Sequence, residues 1–238
     1  MDFRKILEEY PYKTELHAHT SPVSNCSKIE AAFATKLYSD LGCHTLTVTN
    51  HLADYTLEAH PDTVELAEYF VSDYYKAKKA GESFGITVAF GAEMRFKDDN
   101  NDYLVYGICP DDVEKMIYYI PRSIHEFYKD FKNDRNVIIH AHPFRNNMFP
   151  TPLGSVDGIE TFNNHPAHNS RPGLATRFAR EEGLLVTGGS DFHDPDKQGL
   201  CITRTKHKLE DSYAIAEAIK SRDIIFDMSG HIVIPYIY

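Results

Sequence analysis

Two short stretches carry residue types suited to metal chemistry. Thr14-Glu15-Leu16-His17-Ala18-His19 and Gly188-Gly189-Ser190-Asp191-Phe192-His193 each end on a pair of potential ligands two residues apart. In an extended chain residues i and i+2 share a face. His17 and His19 therefore present two imidazoles together, and Asp191 and His193 a carboxylate and an imidazole. A lone His-x-His is as readily the end of a histidine-rich strand. Repetition weakens that reading, because apolar runs also lead to Thr49-Asn50-His51, Gly91-Ala92-Glu93 and Ala141-His142-Pro143. Several ligand-bearing strand ends suggest one metal centre.

Alternating sequence patterns supply the elements that would position these ends. Thr14 to His19 reads as a strand, followed by a polar loop to Cys26. Ser27-Lys28-Ile29-Glu30 has capping-box spacing and opens a helix with Ile29, Phe33, Leu37 and Leu41 on one face, stopped by Gly42. Residues 45–49 form the second strand. A second helix is predicted over 62–81, with Val64, Ala67, Phe70, Val71 and Tyr74 as its buried stripe. Further strands are predicted over 86–90, 102–109, 136–143, 158–163 and 184–187. A helix from Asp112 is interrupted near Pro121 and resumes towards Asn133; others cover 171–183 and 209–221, and 223–227 reads as a last short strand. Such alternation implies parallel pairing with right-handed crossovers. An α/β barrel would deliver the strand ends at residues 17, 51, 93, 142 and 191 to one face. An open doubly wound sheet would gather ligands mainly at a switch point, and no glycine-rich phosphate loop accompanies it.

With 238 residues the chain can bury a sizeable core, and no boundary favours two domains, so residues 1–238 read as one. No apolar run is long enough to span a bilayer, and Met1 to Glu9 lacks a secretory pattern, so a cytoplasmic location is expected. Cys26, Cys43, Cys109 and Cys201 form no Cys-x-x-Cys pair, which argues against a disulfide framework or a zinc knuckle. The net charge of −10 argues against general attraction to a nucleic-acid backbone, although a local basic patch is compatible with it. Against that background thirteen histidines are the compositional oddity.

Taken together, His17-Ala18-His19-Thr20, Thr49-Asn50-His51, Gly91-Ala92-Glu93, His142-Pro143 and Gly189-Ser190-Asp191-Phe192-His193 resemble, in this order, the PHP (polymerase and histidinol phosphatase) family, over roughly residues 14–195. The resemblance implies a distorted (β/α)7 TIM-like barrel with two or three divalent metals at the C-terminal ends of its strands, and phosphoester hydrolysis. By position, His17, His19, Glu93 and Asp191 would hold one metal. Glu93 would bridge to a second, shared with His142, and His51 and His193 would hold a third. Mixed nitrogen and oxygen ligands suit zinc, manganese or iron better than calcium.

The sequence departs from the family pattern in two places. The loop after the first strand offers Asn25 beside Cys26 where many members have His or Asp. The fourth strand lacks the expected histidine and offers Asp102 at its start or Cys109 at its end, with Asp102 slightly preferred. His140 shares a strand face with His142, but a buried, hydrogen-bonded histidine is its commoner role. Glu160 fits a partner to a ligating imidazole better than a ligand. Arg145 is a candidate for a substrate phosphate, with a surface role of similar weight. Arg95, His165, His168 and Arg204 are weaker candidates of that kind. His44, His60, His207 and His231 read as surface residues, and Tyr74-Tyr75 and Tyr118-Tyr119 as packing.

The functional expectation is a metal-dependent phosphoesterase acting on a small phosphomonoester through a metal-activated water held by Glu93 and Asp191. A nuclease of the same family would instead need a basic track beside the metals. An amidohydrolase-like site leaves His51 and Glu93 without a role. A metal-stabilised scaffold would bind metal without activating water.

Overall fold

The computed structural model describes residues 3–236. In chain order the elements are α1 (Phe3–Glu9), β1 (Tyr12–Glu15), α2 (Ala31–Asp40), β2 (Thr45–Val48), β3 (His51–Leu52), α3 (Asp54–Ala59), α4 (Thr63–Phe84), β4 (Thr87–Phe90), β5 (Ala92–Met94) and β6 (Asp102–Tyr106). A 3-10 turn at Pro110–Asp112 leads into α5 (Val113–Tyr119). Then follow α6 (Ile124–Phe131), β7 (Val137–Ala141), β8 (Gly158–Asn163), α7 (Pro172–Glu181), β9 (Leu185–Gly189), β10 (Ile202–Thr205), α8 (Ser212–Ser221), β11 (Ile225–Met228) and β12 (His231–Val233).

Local chemistry sets several boundaries. The Asp62 carboxylate accepts from Val64 N and Glu65 N to start α4, and Gly85 ends it in the left-handed conformation (φ 71°). Such a cap contributes about 1 kcal/mol. Ser123 and Glu126 form a reciprocal capping box at α6. Ser27 does not cap α2. That helix begins at Ala31, and the Ser27 hydroxyl lies within hydrogen-bonding distance of the carbonyls of His19 and His193, joining the two ligand-bearing stretches instead. The buried face of α2 is Ala31, Ala34, Thr35 and Tyr38, while Phe33 and Leu41 are exposed. On α4 Val64 is exposed, and the stripe is Leu66, Ala67, Phe70, Asp73, Tyr74 and Ala77.

The strands form two six-stranded sheets, in the orders β12-β11-β10-β1-β2-β4 and β3-β5-β6-β7-β8-β9, rather than one continuous closed ring. Pairing is not all parallel: β6 runs antiparallel to both β5 and β7, and β10 antiparallel to β1. Only the residues between Met94 and Asp102 join β5 to β6, too few for the dozen or more that a parallel crossover needs. The sheets meet where β2 leads into β3 and β4 into β5. On the other side an isolated parallel bridge pairs Ala18 with Phe192: His19 N donates to Phe192 O (2.9 Å) and Phe192 N to His17 O (3.1 Å). This seam places the two ligand pairs side by side. The largest buried cluster, including Phe70, Phe90, Phe96, Tyr103 and Phe127, packs α4, α5 and α6 against the strands. No helix among the described residues is long and apolar enough to cross a membrane.

Candidate metal centre

The seam and the neighbouring strand ends bring seven predicted residues into one cluster. His17 and His19 extend β1, His51 opens β3, Glu93 lies in β5, His142 follows β7, and Asp191 and His193 follow β9. Glu93 is at the middle. Its Oε1 lies 3.3 Å from His17 Nε2 and 3.1 Å from His142 Nε2; its Oε2 lies 3.2 Å from His19 Nε2 and 3.1 Å from His51 Nδ1. Asp191 Oδ1 is 3.4 Å from His17 Nε2, 3.3 Å from His19 Nε2 and 3.4 Å from His193 Nδ1. Three ligand triplets are close enough to hold an ion: His17, His19 and Asp191; His17, Glu93 and His142; and His19, His51 and His193.

Opposite charges are buried against one another in the cluster. Burial disfavours charge on these members; opposed charges override it at Glu93, Asp191 and His17 but not at His51 or His193. Burial would raise the Glu93 and Asp191 carboxyls, but the surrounding histidines, with Arg145 beside Asp191, hold both well below their usual range. Burial would lower His17, but Asp191, Glu160 and Glu93 push it well above 6.5. His193 is lowered to about 4 by burial and by His19. His17 Nε2, His19 Nε2 and Glu93 Oε2 are buried without a hydrogen-bond partner, and all three face the same space. A divalent cation satisfies atoms of this kind, and the nitrogen-oxygen donor set fits one.

The residues around the cluster orient it. Glu160, almost fully buried, bonds His17 Nδ1 (3.0 Å) and also accepts from His142 N (3.2 Å) and Asn163 Nδ2 (2.9 Å), so it is a partner to an imidazole. Asn163 additionally donates to Asp191 Oδ2 (3.1 Å) and accepts from Arg145 (2.7 Å). Arg145 also pairs directly with Asp191 Oδ2. His142 (φ 34°) and Asp191 (φ 51°) both have positive φ, uncommon for residues other than Gly although Asn, Asp and His adopt it more than most, and such backbone is concentrated at functional sites.

Asp102 is near the cluster and Cys109 is not. Because β6 runs antiparallel, its first residue pairs with Ala141, beside His142, while Cys109 lies past the opposite end. Both Asp102 oxygens accept from Arg95 at 2.7 Å, and Oδ2 lies 3.8 Å from His142 Nε2, so in this geometry Asp102 is committed to Arg95. Asn25 is exposed and outside the cavity, whereas Cys26 lines it, its thiol pushed up to about 11 by burial and Glu93. His140 points away: its Nδ1 bonds Thr151, and its ring lies against Tyr103. Arg204 pairs with Asp227 far from the cluster. His165 and His168 line the cavity above the histidines, a space of about 560 Å³ that also admits Arg95 and Arg145.

Residues 170–224 match the family model described as PHP-associated. No curated protein matches the chain. Among solved structures, the fold is similar to a two-domain protein containing a predicted PHP-like metal-dependent phosphoesterase from Bacteroides vulgatus (16% identity, 90% of this chain and 64% of that one, TM-score 0.60). It is also similar to PsfC from Pseudomonas syringae (16% identity, 82% and 81%, TM-score 0.58) and to an amidohydrolase from Chromobacterium violaceum with bound sulfate and no metal (14%, 77% and 88%, TM-score 0.52). This chain spans under two thirds of the two-domain protein's length. The matched segment and the shared mixed α/β fold support the PHP domain family, the family that the ligand motifs resemble.

Proposed function

We propose that this chain is a metal-dependent phosphoesterase that hydrolyses a small phosphomonoester, using zinc, manganese or iron held by His17, His19, His51, Glu93, His142, Asp191 and His193. The observation that carries this reading is the convergence of the orphaned His17 Nε2, His19 Nε2 and Glu93 Oε2 on one buried space beneath an open cavity. When bound, divalent cations supply a lowered water pKa and offset charge on phosphoryl oxygens. The protein's part is to hold and orient. Glu93 Oε1 faces His17 and His142 and Oε2 faces His19 and His51, so its carboxylate would be available to more than one ion, and Glu160 fixes the His17 ring by accepting a hydrogen bond from Nδ1. Asp102, paired with Arg95, acts beside His142 rather than as a primary ligand.

The cavity arginines, Arg95 and Arg145, are each paired with a carboxylate, so no continuous basic track flanks the cluster among the described residues. That favours a small monoester over a nucleic acid, whose phosphates require such a track. Arg145 would meet a phosphoryl oxygen through the rest of a guanidinium that Asn163 and Asp191 orient. The isolated Ala18–Phe192 bridge, opposite the β2–β3 and β4–β5 junctions, supports reading the two sheets as the walls of one distorted, incompletely closed barrel within one domain.

The test is phosphate release from a panel of phosphomonoesters and one phosphodiester reporter, using metal-stripped protein reloaded separately with manganese, zinc or iron(II). Turnover that needs metal, prefers monoesters and collapses in Asp191→Ala is expected. Diester preference would make the chain a nuclease, and metal-loaded protein inactive on both classes would leave a metal-stabilised scaffold.

A further inference from the structure

A chain of buried side chains runs from α4 to His19, and none of its inner members touches the cavity. Thr20, Ser24, Asn50 and Asp73 are each at most 1% exposed. Asp73, on α4, accepts from Lys76 Nζ (2.9 Å), Val23 N (3.3 Å) and the Thr20 hydroxyl (3.1 Å). Asn50 Nδ2 donates to Thr20 Oγ1 (2.9 Å), while Asn50 Oδ1 accepts from Thr20 N (2.7 Å) and from the Ser24 hydroxyl (2.9 Å). Ser24 Oγ accepts from His51 N (2.9 Å) and lies 3.2 Å from His19 Nδ1.

The direction of every proton in this chain follows from its ends. The Asn50 Nδ2 amide only donates, so Thr20 Oγ1 accepts from it and the Thr20 hydroxyl donates to Asp73 Oδ2. The backbone N–H of Thr20 only donates, which confirms that the Asn50 oxygen faces Thr20 N and Ser24. The single Ser24 proton is then committed to Asn50. Towards His19 the Ser24 oxygen can only accept, so His19 carries its proton on Nδ1. That leaves Nε2, 3.2 Å from Glu93 Oε2 and 3.3 Å from Asp191 Oδ1, as the nitrogen free to take a metal in place of a proton.

We propose that Asp73, Thr20, Asn50 and Ser24 form a positioning relay that sets the ring orientation and tautomer of His19, making Nε2 the metal-binding atom. This rests on the reading of His19 as a ligand. The same function is served at His17 by Glu160 in one step; at His19 it takes four residues, because the Ser24 hydroxyl has no fixed direction until Asn50 and Asp73 impose one. Asp73 touches no ligand, so its substitution acts on the metal site only indirectly, through Thr20 or through the Val23 backbone beside Ser24, and the Thr20 variants below separate the two.

The experiment is zinc affinity of metal-stripped protein, measured by chelator competition, for the wild-type chain, Ser24→Ala, Asp73→Asn and the double variant. Loss of a partner behind a ligating histidine typically costs 10- to 100-fold in metal affinity. A loss of about 10-fold or more is expected for each single variant, with the double variant no weaker than Ser24→Ala. Should Asp73→Asn not fold, Thr20→Val and Thr20→Ser decide: the first removes the hydroxyl at nearly constant shape and should lose affinity, and the second restores it. Unchanged affinities, or single losses that simply multiply in the double variant, would overturn the relay. Failure of the wild-type chain to bind zinc would instead overturn the metal-centre reading beneath it.

Discussion

Gly189 is where the scaffold and the cluster come closest, and Gly189→Ala tests whether the seam sets the position of His17. A Cβ at this residue would lie 2.5 Å from His17 Cβ, 3.2 Å from His17 N and 3.0 Å from Glu160 Oε1. Ordinary carbon–carbon contact is about 3.5–4.0 Å, so His17 and residue 189 must separate by about 1 Å. Of these, the His17 Cβ and backbone nitrogen cannot swing aside. Local hydrogen bonds resist that opening: His17 N and Ser190 N both donate to Glu15 Oε1 at 3.0 Å, and Phe192 N donates to His17 O. Overpacking of this kind costs about 1–3 kcal/mol. Displacing a catalytic group by about 1 Å lowers turnover on the order of 100-fold. Gly173, in α7, has nothing within 4 Å of its added Cβ, so Gly173→Ala should be neutral or stabilise by up to about 1 kcal/mol. Urea unfolding of metal-stripped protein and zinc affinity would be measured for both variants. A Gly189→Ala protein that matches wild type within about 0.5 kcal/mol and binds zinc equally well would refute the account of the seam.

Glu160→Gln, which weakens the acceptor behind His17, should lower zinc affinity about 10- to 100-fold by chelator competition, with a smaller effect on metal-free stability. Arg95→Met leaves the buried Asp102 carboxylate without its bidentate partner; because Arg95 is about one third exposed, a loss of about 2 kcal/mol in urea unfolding is expected. His140 is held at about 3 by burial and by His142, below its unfolded value of 6.5. The unfolded chain therefore takes up this proton first, and the stability present above pH 6.5 is lost progressively towards pH 3. From pH 6.5 to 5 the loss is about 2 kcal/mol, and metal-free His140→Gln should show a correspondingly flatter acid dependence of urea unfolding.

The strand ends were legible in the sequence because ligand chemistry and strand periodicity coincide there: His17, His51, Glu93, His142 and Asp191 each follow an apolar run. The reversal of β6 was readable in principle from the short connection after Met94, and it explains why Asp102 rather than Cys109 reaches His142. Helix faces were harder. Apolar periodicity favoured Phe33 and Leu41, but α2 meets α4 through small residues, with Thr35 Oγ1 within 3.5 Å of Ala77 O, and Phe33 and Leu41 remain exposed. The orienting residues Ser24, Asp73 and Asn163 left no signal, because a hydrogen bond between residues 20 and 73 or 163 and 191 depends on how helices and loops pack, which spacing along one strand does not encode.

Anomalous diffraction from zinc-soaked crystals tests the central claim most directly, because it locates ions without assuming a substrate. The account predicts at least two anomalous peaks within coordination distance of Glu93, one shared with His17, His19 and Asp191 and another with His142. Saturating zinc that leaves no peak at Glu93 and Asp191 would contradict it.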